Sequence, residues 1–263
     1  MWVAADGLAV AQRNLIKIKR VPELLIWVLM SPIMFVLLFA YVFGGSIEVP
    51  GVNYREFLIA GIFAQTVVFG ATYTGAGLAE DMQKGIIDRF RSLPMSRSAV
   101  LVGRTSSDVV YNLLSITIMA LTGLLVGWRI RTSVWEALAG FGLLLLFSYA
   151  FSWVMASVGL MVPSPEVVNN ASFMFIMPLT FVSNAFVPSQ NLPTPLRIFA
   201  EWNPVSAVTQ AARNLFGNVN PLATPSEAWS MQNPELYTLI WIAVILAIFV
   251  PFSVRLYKKA ASK

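Results

Sequence analysis

Long apolar runs alternate with short polar stretches along the whole chain, at roughly Leu25–Gly44, Phe57–Ala79, Val109–Gly127, Val134–Met161, Val168–Val187 and Leu236–Tyr257. Each run is close to the ~20 residues that carry a helix across ~30 Å of hydrocarbon, and none holds a Lys or Arg before its last turn. The pattern predicts an all-α integral membrane protein, a single transmembrane domain over 1–263 with six transmembrane helices. An even number of spans leaves both termini on one side. That side collects Arg13, Lys17, Lys19 and Arg20, then Lys84, Arg89, Arg91, Arg97 and Arg104, then Arg255, Lys258, Lys259 and Lys263, most of the 18 basic residues. An excess of Lys and Arg marks cytoplasmic loops, so both termini are expected in the cytoplasm.

The polar stretches carry patterns of their own. In residues 1–22, Leu8, Ala11, Leu15 and Ile18 share one arc of a helical wheel with Arg13, Lys17 and Arg20 opposite, which predicts an interfacial helix ended by Pro22. Ser31-Pro32 and Pro251 are expected to bend the first and last spans. Gly61, Gly70, Gly75 and Gly77 in the second run, and Gly123-x-x-x-Gly127 in the third, permit close helix packing. In the cytoplasmic loop, 80–97, Ile86, Ile87, Phe90 and Leu93 recur at helical spacing among Asp88, Arg89 and Arg91 until Pro94 stops the helix. Such a short amphipathic helix either lies on lipid or docks into a groove of a partner, and its chemistry alone leaves both open. The outer segment 188–235 is apolar for a loop. Pro195–Glu201 and Val205–Phe216 read there as helices too short to cross, expected to be re-entrant or interfacial at the outer mouth, with Trp202 and Trp229 at the membrane interface.

Composition narrows the functions. Charged residues make up 12% and apolar residues 57%, against about 25% charged in an ordinary soluble domain, so a water-soluble fold is excluded. The net charge of +5 arises from clusters beside the spans, which suit anionic lipid heads and topology rather than nucleic acid. With no Cys and no His, thiol nucleophiles, His bases and the commonest metal ligands are missing, and a non-catalytic chain without a cofactor or metal of its own is expected. No Lys is followed by Ser or Thr, so the phosphate-cradling P-loop is absent. Only Glu136 and Glu166 come close to lying within spans, both at their ends, which argues against ion coupling. The first run begins near residue 25 without an Ala-x-Ala site behind it, so it is expected to be retained as a span.

The basic N-terminal helix, the six runs, the string Lys84-Gly85-Ile86-Ile87-Asp88-Arg89-Phe90-Arg91-Ser92-Leu93-Pro94-Met95-Ser96 and the outer Asn203-Pro204, Arg213 and Gly217 together resemble the ABC type-2 transporter permeases. The likeness is strongest to the daunorubicin-resistance subgroup of actinobacterial drug exporters and covers essentially the whole chain. It implies a permease subunit in a bacterial cell membrane, working as a homodimer or beside a related permease on separate cytoplasmic ATPase subunits that bind ATP and Mg. It further implies that Gly85, Ile86, Asp88, Arg89, Phe90, Arg91, Leu93 and Pro94 form the ATPase-coupling helix, and residues 1–22 an elbow. The first, second and fifth spans of two protomers would line the translocation path, and the outer helices, with Asn203, Pro204 and Arg213, would form its gate.

The expected function is ATP-powered export of hydrophobic or amphipathic molecules, antibiotics or lipids, along a path walled by residues such as Phe35, Phe39, Phe63, Phe69, Phe173, Met174, Phe175 and Met177. A polysaccharide-exporting permease is the alternative within transport. An ATPase-independent membrane enzyme or assembly factor would need carboxylates facing a cavity.

Overall fold

The computed structural model describes residues 30, 33–43, 53–86, 97–162, 164–219 and 226–260, with helices and no strand among them. The helices are α1 (Ile33–Val42), α2 (Tyr54–Gly70), α3 (Thr72–Gln83), α4 (Arg97–Val126), α5 (Val134–Met161), α6 (Pro165–Phe181), α7 (Thr194–Trp202), α8 (Pro204–Phe216), α9 (Trp229–Gln232) and α10 (Pro234–Ala260). The expected elbow over 1–22 and most of the coupling helix, residues 87–96, lie outside the described residues. From Leu38 to Phe43, the second half of α1 and the residue after it, the backbone is wound as a π-helix.

Four rods are long and apolar enough to cross a membrane: α2 and α3 running on through Ala71 as Tyr54–Gln83, then Val100–Val126, Val134–Met161 and Pro234–Lys259. Helix α6 is shorter than the fifth run predicts. Its 17 residues reach only ~26 Å at ~1.5 Å per residue. It stops at Phe181, three residues after the internal Pro178, and the chain continues through an irregular stretch in which Ser183, Asn184, Ala185 and Phe186 are buried. The apolar composition of Val182–Val187 reflects that burial rather than more helix. Helix α4 departs in the other direction. It begins at Arg97, well before the apolar run at Val109, and so draws Arg104 and Asp108 into the helical body.

Helix α5 is the hub, packed against α2, α3, α4, α6, α8 and α10. It is apolar on every side, as a helix largely surrounded by protein has to be, and it is most open at its start, at Val134, Trp135 and Leu138, with Leu146 and the terminal Met161 also exposed. A reciprocal cap starts it: Ser133 Oγ accepts from the Glu136 amide, and the Glu136 carboxylate accepts from the Ser133 amide at 2.9 Å. Glu166 likewise lies in the first turn of α6, which Ser164 caps. Both carboxylates sit at helix starts.

Without a hydrophobic force between helices in lipid, close contact has to come from small residues. Where α3 crosses α5 the backbones touch: a Cβ built on Gly159 would lie 2.2 Å from the Gly75 carbonyl oxygen, and one on Gly75 would lie 2.6 Å from that of Met155. The Gly123-x-x-x-Gly127 string is not a packing motif throughout. Gly127 has φ +107° and nothing near its absent side chain, so it ends α4 by turning the chain left-handed, while Gly123 packs on Trp128. On the other side of α5, Ser253 of α10 donates to the Trp153 carbonyl at 3.1 Å and its oxygen lies 2.8 Å from Ser157 Oγ. Helix α10 otherwise shows Leu236, Leu239, Ile240, Val244, Ile248 and Phe252 outward, a face fit for lipid.

The rods share two opposite ends, with α2–α3, α5 and α10 running one way and α4 the other. One holds the ends of α3, α5 and α10 and the start of α4, where the basic residues crowd. The far end holds the starts of α2, α5 and α10, the end of α4, and α7 to α9.

Candidate functional site

At the far end, Asn203 joins two helices. Its Oδ1 accepts from the Val205 amide at 2.8 Å and caps α8, for which Pro204 in the first turn needs no amide partner. Its Nδ2 donates to the Leu179 carbonyl at 2.7 Å and to the Val182 carbonyl at 2.8 Å, two groups left open where α6 ends. Asn203→Ala should therefore cost about 1–2 kcal/mol for the cap alone and more for the open carbonyls. Asn203→Asp keeps the cap and isolates the second part. Thermal unfolding of both variants in lipid nanodiscs checks this, with Ala expected below Asp and Asp below the native chain.

Arg213 lies one end further along α8 and is fully buried. Its Nε donates to the Phe57 carbonyl at 3.0 Å, and its Nη2 to the carbonyls of Asn184 at 2.8 Å and Ala185 at 2.9 Å. The guanidinium carbon sits 3.5 Å from the centre of the Phe57 ring, the geometry of a cation–π contact. Burial pushes the guanidinium down from its ordinary value, to about 9, and leaves it charged at neutral pH. Next in sequence, the Phe186 carbonyl accepts from Tyr54 Oη at 3.2 Å, and the Asn184 amide donates to Ser206 Oγ at 3.0 Å. Side chains thus hold the carbonyls of three consecutive residues, Asn184 to Phe186, which no helix satisfies. Buried irregular backbone requires such partners. Gly61 admits this segment against α2, since a Cβ there would lie 2.0 Å from the Ala185 oxygen.

The connection from α4 to α5 is pinned to the same cluster. Arg131 makes a two-pronged ion pair with Glu56, at 2.7 and 3.0 Å, and its amide donates to the Phe216 carbonyl at 2.9 Å. Asn218 accepts from Trp128 Nε1 at 2.6 Å and donates to the Arg129 carbonyl at 2.9 Å. The outer residues singled out from sequence therefore stand at opposite ends of α8, Asn203 and Pro204 at its start and Arg213 in its last turn, and form a clasp only through what they grip, the end of α6, the stretch after it and α2. Its other partners are backbone carbonyls, which no sequence pattern marks.

At the basic end, α3 stops at Gln83. Gly85 takes φ +62°, and Ile86 is the last residue described before the loop. Asp88, Arg89, Phe90, Arg91, Leu93 and Pro94 lie outside the described residues. Lys84 pairs with Glu80 one turn back, largely in the open, where such pairs contribute little. Of the polar residues at this end, Arg104 counted in the sequence only as part of the basic cluster, Asp81 only as the end of an apolar run, and Asp108 was passed over. Arg104 Nη1 lies 3.8 Å from Asp81 Oδ2 and Nη2 donates to the Tyr73 carbonyl at 3.3 Å. The spacing Arg104, Asp108, Asn112 puts three polar residues on one stripe of a helix, and that was the signal available for them.

The apolar residues expected along a path separate into groups. Phe63 is enclosed by Trp128, Phe141 and Phe216, at 5.5, 5.8 and 6.0 Å between ring centres, and belongs to the protomer core. Burial of α2 inside the bundle removes it from any free face. Phe35 and Phe39 stack at 5.7 Å on α1, and Phe39 stacks on Phe186 at 4.9 Å. Phe69 meets Phe173 edge-on at 6.1 Å. Phe173, Met174 and Phe175 are exposed on α6, with Met177 half-buried beside them.

The sequence profile of the family described as ABC-2 type transporter matches residues 7–216. Among curated relatives, the chain is 30% identical over 246 residues to the daunorubicin resistance ABC transporter permease protein DrrB1 of Streptomyces coeruleorubidus, covering 94% of this chain and 83% of the relative. It is 23% identical over 196 residues, 74% of this chain and 67% of the relative, to a protein of Mycobacterium tuberculosis named as a probable doxorubicin resistance ABC transporter permease, DrrC.

Proposed function

The chain belongs to the ABC-2 type transporter family, and from that premise we propose that it is the permease subunit of an ATP-binding-cassette exporter for hydrophobic or amphipathic molecules. The observation that carries this reading is the likeness, over 94% of the chain, to a permease named for daunorubicin resistance. Resistance is met by removing the compound, so the direction is outward, from the cytoplasm or the inner leaflet. Six spans, with both termini in the cytoplasm of a bacterial cell, complete the topology. ATP and Mg act in a separate cytoplasmic ATPase, and two permeases, identical or related, face each other across the path.

In this reading the exposed aromatic face of α6, with Phe173 and Met177, and the α1 face bearing Phe35 and Phe39, wall that path together with Phe69. The clasp of Asn203, Pro204 and Arg213 closes its outer end. Gly85 and Ile86 open the coupling helix, whose ridge of Ile86, Phe90 and Leu93 sits in the ATPase groove, with Asp88, Arg89 and Arg91 as a polar rim and Pro94 as its stop. Phe90→Ala removes the largest anchor of that ridge. Truncating a buried interface aromatic commonly costs ~2 kcal/mol, roughly 30-fold in affinity. The variant is expected to insert normally into membranes and to lose the ATPase that co-purifies with the native permease. A complex of native stoichiometry, with native ATP hydrolysis, would place the docking surface elsewhere.

A further inference from the structure

The coupling loop leaves from α3 and returns into α4, and one guanidinium bridges its two stems. Arg104, on α4, reaches across to α3, where Nη1 lies 3.8 Å from the Asp81 carboxylate and Nη2 donates to the Tyr73 carbonyl at 3.3 Å. Between those two points the guanidinium rests on bare backbone: a Cβ on Gly77 would lie 1.3 Å from Nη2. One turn further along α4, on the stripe that carries Arg104, stands Asp108. It is 7% exposed, within electrostatic reach of Arg104, and its Oδ2 is buried with no hydrogen-bond partner among the described residues.

One cation therefore has two carboxylates within its range, and they differ in a way that matters. Asp81 belongs to the other helix, so a pair with it holds α3 and α4 together. Asp108 is four residues from Arg104 on the same helix, so a pair with it holds nothing but α4 to itself. At Gly77 no side chain stands beneath the guanidinium to fix it in place. Ionisable groups in this setting are costly, and a carboxylate oxygen left open beside a cation has its partner close at hand.

We propose that Arg104 is a latch between the two stems of the loop, seated on Asp81 in the state described here and parked on Asp108 in a second state. Latched, α3 and α4 move as one body, and a push received by the loop passes into both spans. Parked, the stems move apart. The proposal rests on the reading of the loop as the ATPase contact, and deepens it by naming the positioning residues behind that contact.

The native chain has no Cys, so spin labels go at Lys84→Cys and Ser98→Cys, and their separation is measured by electron–electron resonance on the permease alone in nanodiscs. The native distribution is expected to be dominated by the short, latched distance. Asp81→Asn should shift the latched-to-parked ratio toward parked by roughly fivefold, the scale of one ion pair that is not fully buried. Asp108→Asn should shift it the opposite way, and Arg104→Ala should broaden it. The exchanged pair Arg104→Asp with Asp81→Arg should restore the short distance. Shifts of the same sign for Asp81→Asn and Asp108→Asn would mean a passive structural tie and overturn the latch, as would an unchanged distribution in Arg104→Ala. Because this measurement needs no ATPase, it stands or falls apart from the coupling assignment, which the co-purification of Phe90→Ala decides.

Discussion

Arg213→Ala is expected to lower the stability of the permease by about 2–4 kcal/mol, because three buried carbonyls lose their donor and each open group costs ~1–3 kcal/mol. The guanidinium's own desolvation cost is recovered in the variant, and the packing on Phe57 is lost, so the net effect stays below the sum over the carbonyls. Arg213→Lys is expected to rescue little. An ammonium is a compact point charge, whereas the guanidinium holds the Phe57 carbonyl through Nε and the Asn184 and Ala185 carbonyls through Nη2. The measurement is thermal unfolding in nanodiscs, read together with amide exchange over residues 182–188. A native unfolding temperature with native protection there would show that the segment is held by packing alone.

The second large effect is at the crossing of α3 and α5. Gly159→Val places a Cβ within 2.2 Å of the Gly75 carbonyl oxygen, and neither atom is the free end of a flexible side chain. The helices have to separate, and in lipid they lose the dispersion contact that holds them. A loss of more than about 3 kcal/mol is expected, the range of severe overpacking, seen as aggregation on size exclusion. The control is Gly142→Val on the same helix, where an added Cβ meets nothing within 4 Å, and its change should stay within about 0.5 kcal/mol. Equal behaviour of the two variants would show that β-branching, and not the crossing, sets the cost.

Much of the architecture could be read from the chain, for identifiable reasons. The fourth run coincides with α5, because Ser133 and Glu136 mark its start and burial keeps it apolar to its end. The two outer helices were bounded closely by Pro195, Asn203-Pro204 and Gly217, residues that start or stop helices by their own chemistry. Two errors had the same root, the equation of apolar with helical. It shortened α4, whose apolar character is interrupted by the polar stretch from Arg104 to Asp108, and it lengthened α6 through a buried irregular stretch. The functional residues divide the same way. Asn203 and Pro204 announce themselves as a cap, whereas what Arg213 grips is invisible in sequence, since any residue supplies a carbonyl. Asp108 was hidden because the apolar run begins one residue after it.

The place of α5 at the centre of the bundle bears on how the protein is made. The chain is synthesised from its N-terminus, so α5 enters the membrane before α8 and α10, which later cover much of its surface. Until they arrive, that surface faces lipid. A helix destined for the interior therefore has to be greasy on every side, and an inward hydroxyl gains from a provisional partner. Ser157 has one in its own helix, donating to the Trp153 carbonyl at 3.2 Å, the same oxygen that Ser253 reaches once α10 is in place. The uniform apolarity of α5 thus suits the surroundings it passes through during biogenesis as well as those in which it ends.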